Sequence, residues 1–437
     1  MQSKQITDVR AIEIIDNRGN PTIRTYVTIN HRFIGVADVP SGSSTGSFEA
    51  KELRDGEKRY NGMGVRRVIQ NIKDTIKPAI LEVDGTNQRN IDHILNALDG
   101  TENKSNLGAN AILGVSLAVA KAAAQTYGLP LYRYLNAKAR ILPVPQACLL
   151  NGGMHAGNDL DIQEYCVMPV GARSFSHAVQ MLCEIFHELR EILLVSMGKI
   201  ATNSSEDGGF APPLDSSFKA MEILHQAVKN IGYEKEVEYG LDFAASGFFS
   251  THKKTYQFEG QERTTIEMID TIKALVKEYP DIVSIEDPLD EQDYDGWMTF
   301  TEAFSDKLIV GDDIFATNIN RIKMGVEKNI ANAILCKVNQ IGTLTEACDA
   351  AMMAKSNHYP VVMSVRSGET EDNVLSDISV ALNSGLFKTG GIRGSDRGTN
   401  YNRFIEIEHE LGAMAVYAGR NYKDSSLKPS DSSEQQQ

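Results

Sequence analysis

Residues 264–286 read TTIEMIDTIKALVKEYPDIVSIE, and the fold is decided here. Thr264 followed by Glu267 makes a capping box, in which each residue satisfies N–H groups left open at a helix start. Ile266, Ile269, Ile272, Leu275 and Val276 recur at the spacing of one helical face, and Pro280 ends the helix. The apolar run from Ile282 to Ile285 then predicts a strand that delivers Glu286 at its end. Similar strand ends recur elsewhere: EYGL leads to Asp242, LIVG to Asp312, AILC to Lys337 and PVVM to Ser364. Glu286 and Asp312 lie 26 residues apart, and Asp312 and Lys337 lie 25 apart. That is the length of one strand-helix unit, so the fold class is α/β, with a β/α barrel whose chemistry sits at the strand ends.

Outward from this repeat, the barrel is expected over residues 139–421, after the punctuation of Pro143 and Pro145. Residues 1–138 read as an α+β unit. Apolar and polar residues alternate from 8 to 39 around the turn Asn17-Arg18-Gly19-Asn20-Pro21, which predicts antiparallel strands. Helical spacing follows from Phe48 to about Asn136, with 107–124 apolar on nearly every face, as in a helix buried among neighbours. Residues 422–437 are polar, with almost nothing to bury, and are expected to form a disordered tail.

The chain has 437 residues, 42% of them hydrophobic and 23% charged, which suits a compact globular protein of two or three domains. Its net charge of −14 lacks the basic footprint of a nucleic-acid or anionic-membrane binder. Five cysteines, scattered and never in C-x-x-C, argue against a disulfide framework or a zinc ribbon and point to a reducing, cytoplasmic setting. The start has no apolar signal-peptide core, and no stretch is long and apolar enough for a membrane span.

Three strand-end acids, Asp242, Glu286 and Asp312, would converge at one barrel mouth. Oxygen-only ligands without His or Cys suit a hard cation such as Mg²⁺. Lys337 ends an apolar strand, where burial and a nearby cation are expected to lower its pKa and make it a general base. The loop Ser41-Gly42-Ser43-Ser44-Thr45-Gly46 reads as a lid. Arg366-Ser367-Gly368 offers a guanidinium, a hydroxyl and N–H groups to an anion. His155 sits in a glycine-rich loop near Glu164, whereas His93, His187 and His225 read as surface or packing residues on helices.

Taken together, the segments IIDNRGNPT, VPSGSSTGSFEA, LGANAILGVSLAVAKAAA, NGGMHAGNDLDIQEY, EDGGFAPPL, SIEDP, VGDD, KVNQIGTLTEA and RSGETED resemble the enolase family, from about Thr7 to Asn421. The resemblance implies an N-terminal α+β domain packed on a modified eight-fold barrel, normally dimeric. It also implies a lyase that interconverts 2-phosphoglycerate, a small phosphorylated carboxylate, and phosphoenolpyruvate plus water with two Mg²⁺ ions. By position it implies Asp242, Glu286 and Asp312 as ligands of the tighter ion, with Ser44 helping the second. Lys337 would be the base, Lys388 would hold the substrate carboxylate, and Arg366 and Ser367 the phosphate. Glu164, with Gln163 and His155, belongs to the leaving-group side. A Lys or His base with Mg²⁺ is the known pattern of the enolase superfamily itself.

Departures from the family pattern gather around the pocket. The family's G-D-E-G-G reads Ser205-Glu206-Asp207-Gly208-Gly209, so the acid facing the departing hydroxyl is Asp207, one methylene shorter. S-H-R-S-G reads Ser364-Val365-Arg366-Ser367-Gly368, which puts Val365 where a pocket histidine is usual. A-S-E-F reads Ala245-Ser246-Gly247-Phe248, and K-T-G-A-P reads Lys388-Thr389-Gly390-Gly391-Ile392. Two alternatives follow: a repurposed paralogue, such as the carboxyphosphonoenolpyruvate synthase of phosphonate biosynthesis, or a non-catalytic binding protein that keeps the fold.

Overall fold

The computed structural model describes residues 4–43 and 45–425. Strands β1 (Ile6–Ile15), β2 (Pro21–Ile29) and β3 (Phe33–Asp38) form an antiparallel sheet in the order β1-β2-β3. The turn between β1 and β2 is held by Asp16 Oδ1, which accepts the N–H groups of Arg18 at 2.9 Å and Asn20 at 2.8 Å. Ile23, Thr25, Val27 and Ile29 alternate along the buried face of β2. This face meets a long apolar helix. After α1 (Gln88–Asp99), helix α2 (Ala109–Thr126) is buried from Ala109 to Ala124 except at Lys121. Sheet and helix touch at Gly35, where a Cβ would lie 1.9 Å from the Ala118 carbonyl oxygen. Any side chain there would force the two apart.

Eight strands close a barrel: β4 (Val144–Asn151), β5 (Glu164–Met168), β6 (Glu238–Asp242), β7 (Ile282–Glu286), β8 (Leu308–Gly311), β9 (Ala333–Cys336), β10 (Val361–Ser364) and β11 (Leu386–Gly390). Their order around the ring is β7-β8-β9-β10-β11-β4-β5-β6. β5 runs antiparallel to both neighbours, so its first residue, rather than its last, reaches the mouth. Val144, Met168, Val310, Leu335, Val362 and Leu386 fill the lower barrel. Helices α3 (Phe175–Met197), α4 (Ser217–Asn230), α5 (Thr265–Glu278), α6 (Tyr294–Ala303), α7 (Ile319–Lys328), α8 (Leu344–Ser356), α9 (Val374–Leu382) and α10 (Ser395–Leu411) complete the strand-helix units.

Three expectations change. The capping box of Thr264 and Glu267 is present, but the buried face of α5 is Met268, Ile269, Ile272 and Leu275, and Ile266 is 57% exposed. Met268 lies one turn before Ile272, so the apolar stripe is rotated away from Ile266. The helical reading from Phe48 fails over residues 48–58, which run irregularly from the barrel mouth to the first turn at Arg59–Gly62. The expected polar tail does not begin at Tyr422: its ring joins the apolar cluster inside the barrel, and its hydroxyl donates to Glu238 Oε2 at 2.7 Å. An amphipathic Tyr can close a barrel floor in this way while its polar tip finds a partner. Residues 426–437 of the expected tail lie outside the described residues.

The N-terminal unit reaches over the barrel mouth. Ser41 N–H donates to the Gly368 carbonyl at 2.8 Å, and Gly368 N–H returns a bond to the Ser41 carbonyl at 2.9 Å. A Cβ at Gly368 would sit 2.6 Å from that Ser41 oxygen, so this clasp requires glycine. Ser43 N–H donates to Ser367 Oγ at 2.8 Å.

Candidate active site

A narrow cavity at the mouth is lined by His155, Gln163, Glu164, Asp207, Asp242, Lys337, Val365, Arg366, Ser367 and Lys388, together with Ser364 and Gly390. These are the residues singled out in the sequence, except Glu286, Asp312 and Ser44. Glu286 and Asp312 lie beside the cavity, in contact with its two lysines. Ser44 lies outside the described residues.

Barrel register positions the carboxylates. Glu286 ends β7 and is the parallel partner of Asp242, which ends β6. Lys388 on β11 reaches across the barrel: Nζ donates to Asp242 Oδ2 at 2.7 Å and Glu286 Oε1 at 2.8 Å, and lies 3.2 Å from Glu164 Oε1. Burial opposes its charge, but the Asp242, Glu164 and Glu286 carboxylates outweigh burial and hold its pKa well above the usual lysine value. The Glu286 carboxyl is pushed well up, by burial first and by Asp242 next. Glu286 Oε2 is buried without a hydrogen-bond partner.

Asp312 follows β8 and contacts Lys337 Nζ, while its Oδ1 accepts from Gln340 Nε2 at 2.8 Å. Burial alone would raise its pKa, but Lys337 reverses this and lowers it. For Lys337, burial works against the charge, yet the Asp312 carboxylate outweighs burial and raises its pKa; the lowering expected from the sequence calls for a cation beside it. In this arrangement Lys337 is a held cation. Lysines are interleaved among these acids, Lys388 against Asp242 and Glu286 and Lys337 against Asp312. The donor set still fits a hard divalent cation: three buried carboxylates, oxygen ligands only, and an orphaned Glu286 oxygen.

On the opposite side, Asp207 Oδ2 accepts from Asn151 Nδ2 at 3.3 Å, its Oδ1 accepts from Arg397 Nη2 at 3.5 Å, and the carboxylate contacts His155 Nδ1. Burial would raise the Asp207 pKa, but His155 and Arg397 bring it below the usual carboxylate range. Burial works against a charge on His155, and Asp207 overcomes it, raising its pKa. Glu164 starts β5, and burial pushes its carboxyl up against the pull of Lys388. Two neighbouring acids are therefore driven apart, Asp207 toward the carboxylate and Glu164 toward the proton-bearing form, which is how a site assigns different roles to like groups. Gln163 Nε2 donates to Asp242 Oδ2 at 3.3 Å.

The anion side carries residues that the sequence did not reveal. Arg366 Nη1 and Nη2 donate to the two oxygens of Glu49 at 3.0 and 3.1 Å, and Nη1 also donates to Asn339 Oδ1 at 2.9 Å. Arg397 is 1% exposed and donates to the Arg366 carbonyl at 2.6 Å and the Ser367 carbonyl at 2.9 Å, fixing that loop. Arg18 Nη1 donates to Ser367 Oγ at 3.3 Å. Glu49 stands in the conspicuous stretch VPSGSSTGSFEA, whereas nothing around Arg397 distinguishes it from a surface helix residue. Val365 is the cavity's aliphatic side chain. His93, His187 and His225 lie on α1, α3 and α4, away from the site.

Fold and site together define a capped β/α barrel enzyme with buried carboxylates and lysines gathered in its mouth. A family model described as the N-terminal domain of enolase matches residues 6–135, and one described as its C-terminal TIM barrel domain matches residues 139–426. Curated relatives named enolase include those of Methanocaldococcus jannaschii, 53% identical over 420 residues (96% of this chain and 98% of the relative), and Methanococcus vannielii, 50% identical over 422 residues (96% and 99%). The enolase of Thermococcus kodakarensis is 49% identical over 426 residues (96% and 98%). The chain belongs to the enolase family and is an enolase-family lyase.

Proposed function

We propose that the chain interconverts 2-phosphoglycerate and phosphoenolpyruvate plus water. The observation that carries the mechanism is the ring order. Lys337 follows β9 and Glu164 begins β5, four strands apart in a ring of eight, so the two groups face one another across the mouth. An elimination that removes a proton from one face of the substrate and hydroxide from the other needs this placement.

Asp242, Glu286 and Asp312 would hold Mg²⁺, with Ser44 near a second ion. Bound there, Mg²⁺ supplies positive charge against the dianionic enolate of the substrate carboxylate. Lys388 holds that carboxylate from the other side. With Asp312 turned to the cation, Lys337 would lose its ion-pair partner, give up its own proton to solvent and, as a neutral amine, take the proton from the carbon beside the carboxylate. Arg366 and Ser367 bind the phosphate, and Arg397 and Arg18 position them. Glu164 bears the proton for the departing hydroxide, while His155 and Gln163 orient that end of the substrate and Asp207 keeps His155 charged. Val365 bounds the pocket. A dimer or larger homo-oligomer in the cytoplasm accompanies this reading.

Formation of phosphoenolpyruvate, followed by its ultraviolet absorbance, tests it. Turnover is expected with Mg²⁺, to vanish on chelation and to return on adding the ion back. No Mg²⁺-dependent turnover refutes it. Near-full-length relatives named enolase favour this reaction over a repurposed synthase. A large gain in dehydration from Asp207→Glu with Val365→His would reverse that preference.

A further inference from the structure

We propose that Cys148, Cys166 and Glu164 form a site for a thiophilic divalent cation of the Zn²⁺ class, one layer beneath the barrel mouth. In sequence the two cysteines are 18 residues apart and unremarkable. In the fold, Cys148 on β4 and Cys166 on β5 are partners across an antiparallel pair, and both are fully buried. Their sulfurs and a Glu164 carboxylate oxygen lie within 4.8 Å of one another.

The spacing suits the ion. Zn–S bonds of about 2.3 Å and Zn–O bonds of about 2.1 Å at a tetrahedral angle give an S···O edge of about 3.6 Å. Cys166 Sγ lies 3.6 Å from Glu164 Oε2. The Leu150 carbonyl oxygen accepts from the Cys148 thiol at 3.2 Å, and once that proton is displaced by the cation it is the candidate for the fourth corner. Two sulfurs in a set of three disfavour Mg²⁺ and favour Zn²⁺ or Cd²⁺, the reverse of the oxygen-only carboxylates above them.

Burial pushes both thiols up, and the charged groups facing them are Glu164, Asp207, Glu286 and Lys388. The cation therefore displaces two thiol protons, leaving two thiolates on the metal. Glu164 lines the mouth cavity and uses Oε1 toward Lys388 and Oε2 toward Cys166. Holding Glu164 on the metal withdraws it from the leaving-group side, and so a cation here stops turnover without occupying the Mg²⁺ site. That consequence for catalysis rests on the lyase reading above, whereas the binding itself does not.

The test uses the full chain in saturating Mg²⁺, titrated with Cd²⁺ and followed by the thiolate-to-metal charge-transfer band. One Cd²⁺ per chain is expected, displaced by Zn²⁺. The Cys148→Ser/Cys166→Ser variant should bind at least about 100-fold more weakly, since even groups behind a ligand are worth 10–100-fold in affinity. No band, or an equal band in the variant, overturns the site. X-ray absorption of the Zn²⁺-loaded wild type needs no variant: a shell with two sulfurs near 2.3 Å supports the proposal, and a shell without sulfur overturns it.

Discussion

Replacing Lys337 with Ala separates the two halves of the proposed reaction. A positioned general base is worth about 10² to 10⁴ in rate, or about 2.7 to 5.5 kcal/mol at about 1.36 kcal/mol per decade. Lys337 is also the cation against the buried Asp312 carboxylate, which would be left with Gln340 at 2.8 Å. Breaking a buried pair costs about 3 to 5 kcal/mol of stability, so the denaturation midpoint must be measured alongside activity. The informative assay is exchange of the substrate's C2 hydrogen with D₂O, read by NMR in the presence of Mg²⁺. Exchange needs the base alone; product formation needs both sides. Lys337→Ala should lose exchange and product together. Asp207→Asn should keep exchange and lose product, because Asp207 lies with His155 and Glu164 across the barrel. A folded Lys337→Ala variant that exchanges at the wild-type rate refutes the assignment of the base. Equal loss of both signals in Asp207→Asn refutes the division into sides.

Further outcomes concern stability. Burial pushes the Glu369 carboxyl from 4.5 up to about 7. The folded state therefore binds this proton more tightly than the unfolded state. The resulting stabilisation of about 3 kcal/mol is complete below about pH 4.5 and is lost as pH rises through about 7. Glu369→Gln should flatten that part of the pH–stability profile, and an unchanged slope counts against it. Glu49→Ala strips Arg366 of its bidentate partner and should cost about 3 kcal/mol in denaturant unfolding, the low end for a broken buried pair because Asn339 remains. Thr264→Ala removes one half of the capping box on α5 and should cost about 1 kcal/mol by the same measurement.

The barrel was legible because strand-helix units repeat at nearly constant length and each strand ends in a residue with chemistry. Asp242, Glu286 and Lys337 could be placed at the mouth from that rhythm alone. The family resemblance supplied Glu164, Lys388 and Asp207, which local pattern does not distinguish. What stayed hidden depends on contacts between distant segments. No periodicity brings Glu49 to Arg366, and a buried Arg397 reads like any helix arginine. The ion pair between Lys337 and Asp312 likewise joins the ends of two different strands and is written in neither of them. Tyr422 stands among polar neighbours in sequence, although a single aromatic ring suffices to plug a barrel floor.

The clasp between Ser41 and Gly368, reinforced by Ser43 on Ser367, has a bearing on biosynthesis. Ser43 and Ser367 are separated by 324 residues. At about 5 to 20 residues per second, a ribosome needs roughly 15 to 65 s to supply the second half of this contact after the first has emerged. During that interval the N-terminal sheet and its helix can assemble from nearby segments. Ser41 pairs through its backbone with Gly368 alone among the described residues, so the mouth is among the last parts of the nascent chain to take its final shape.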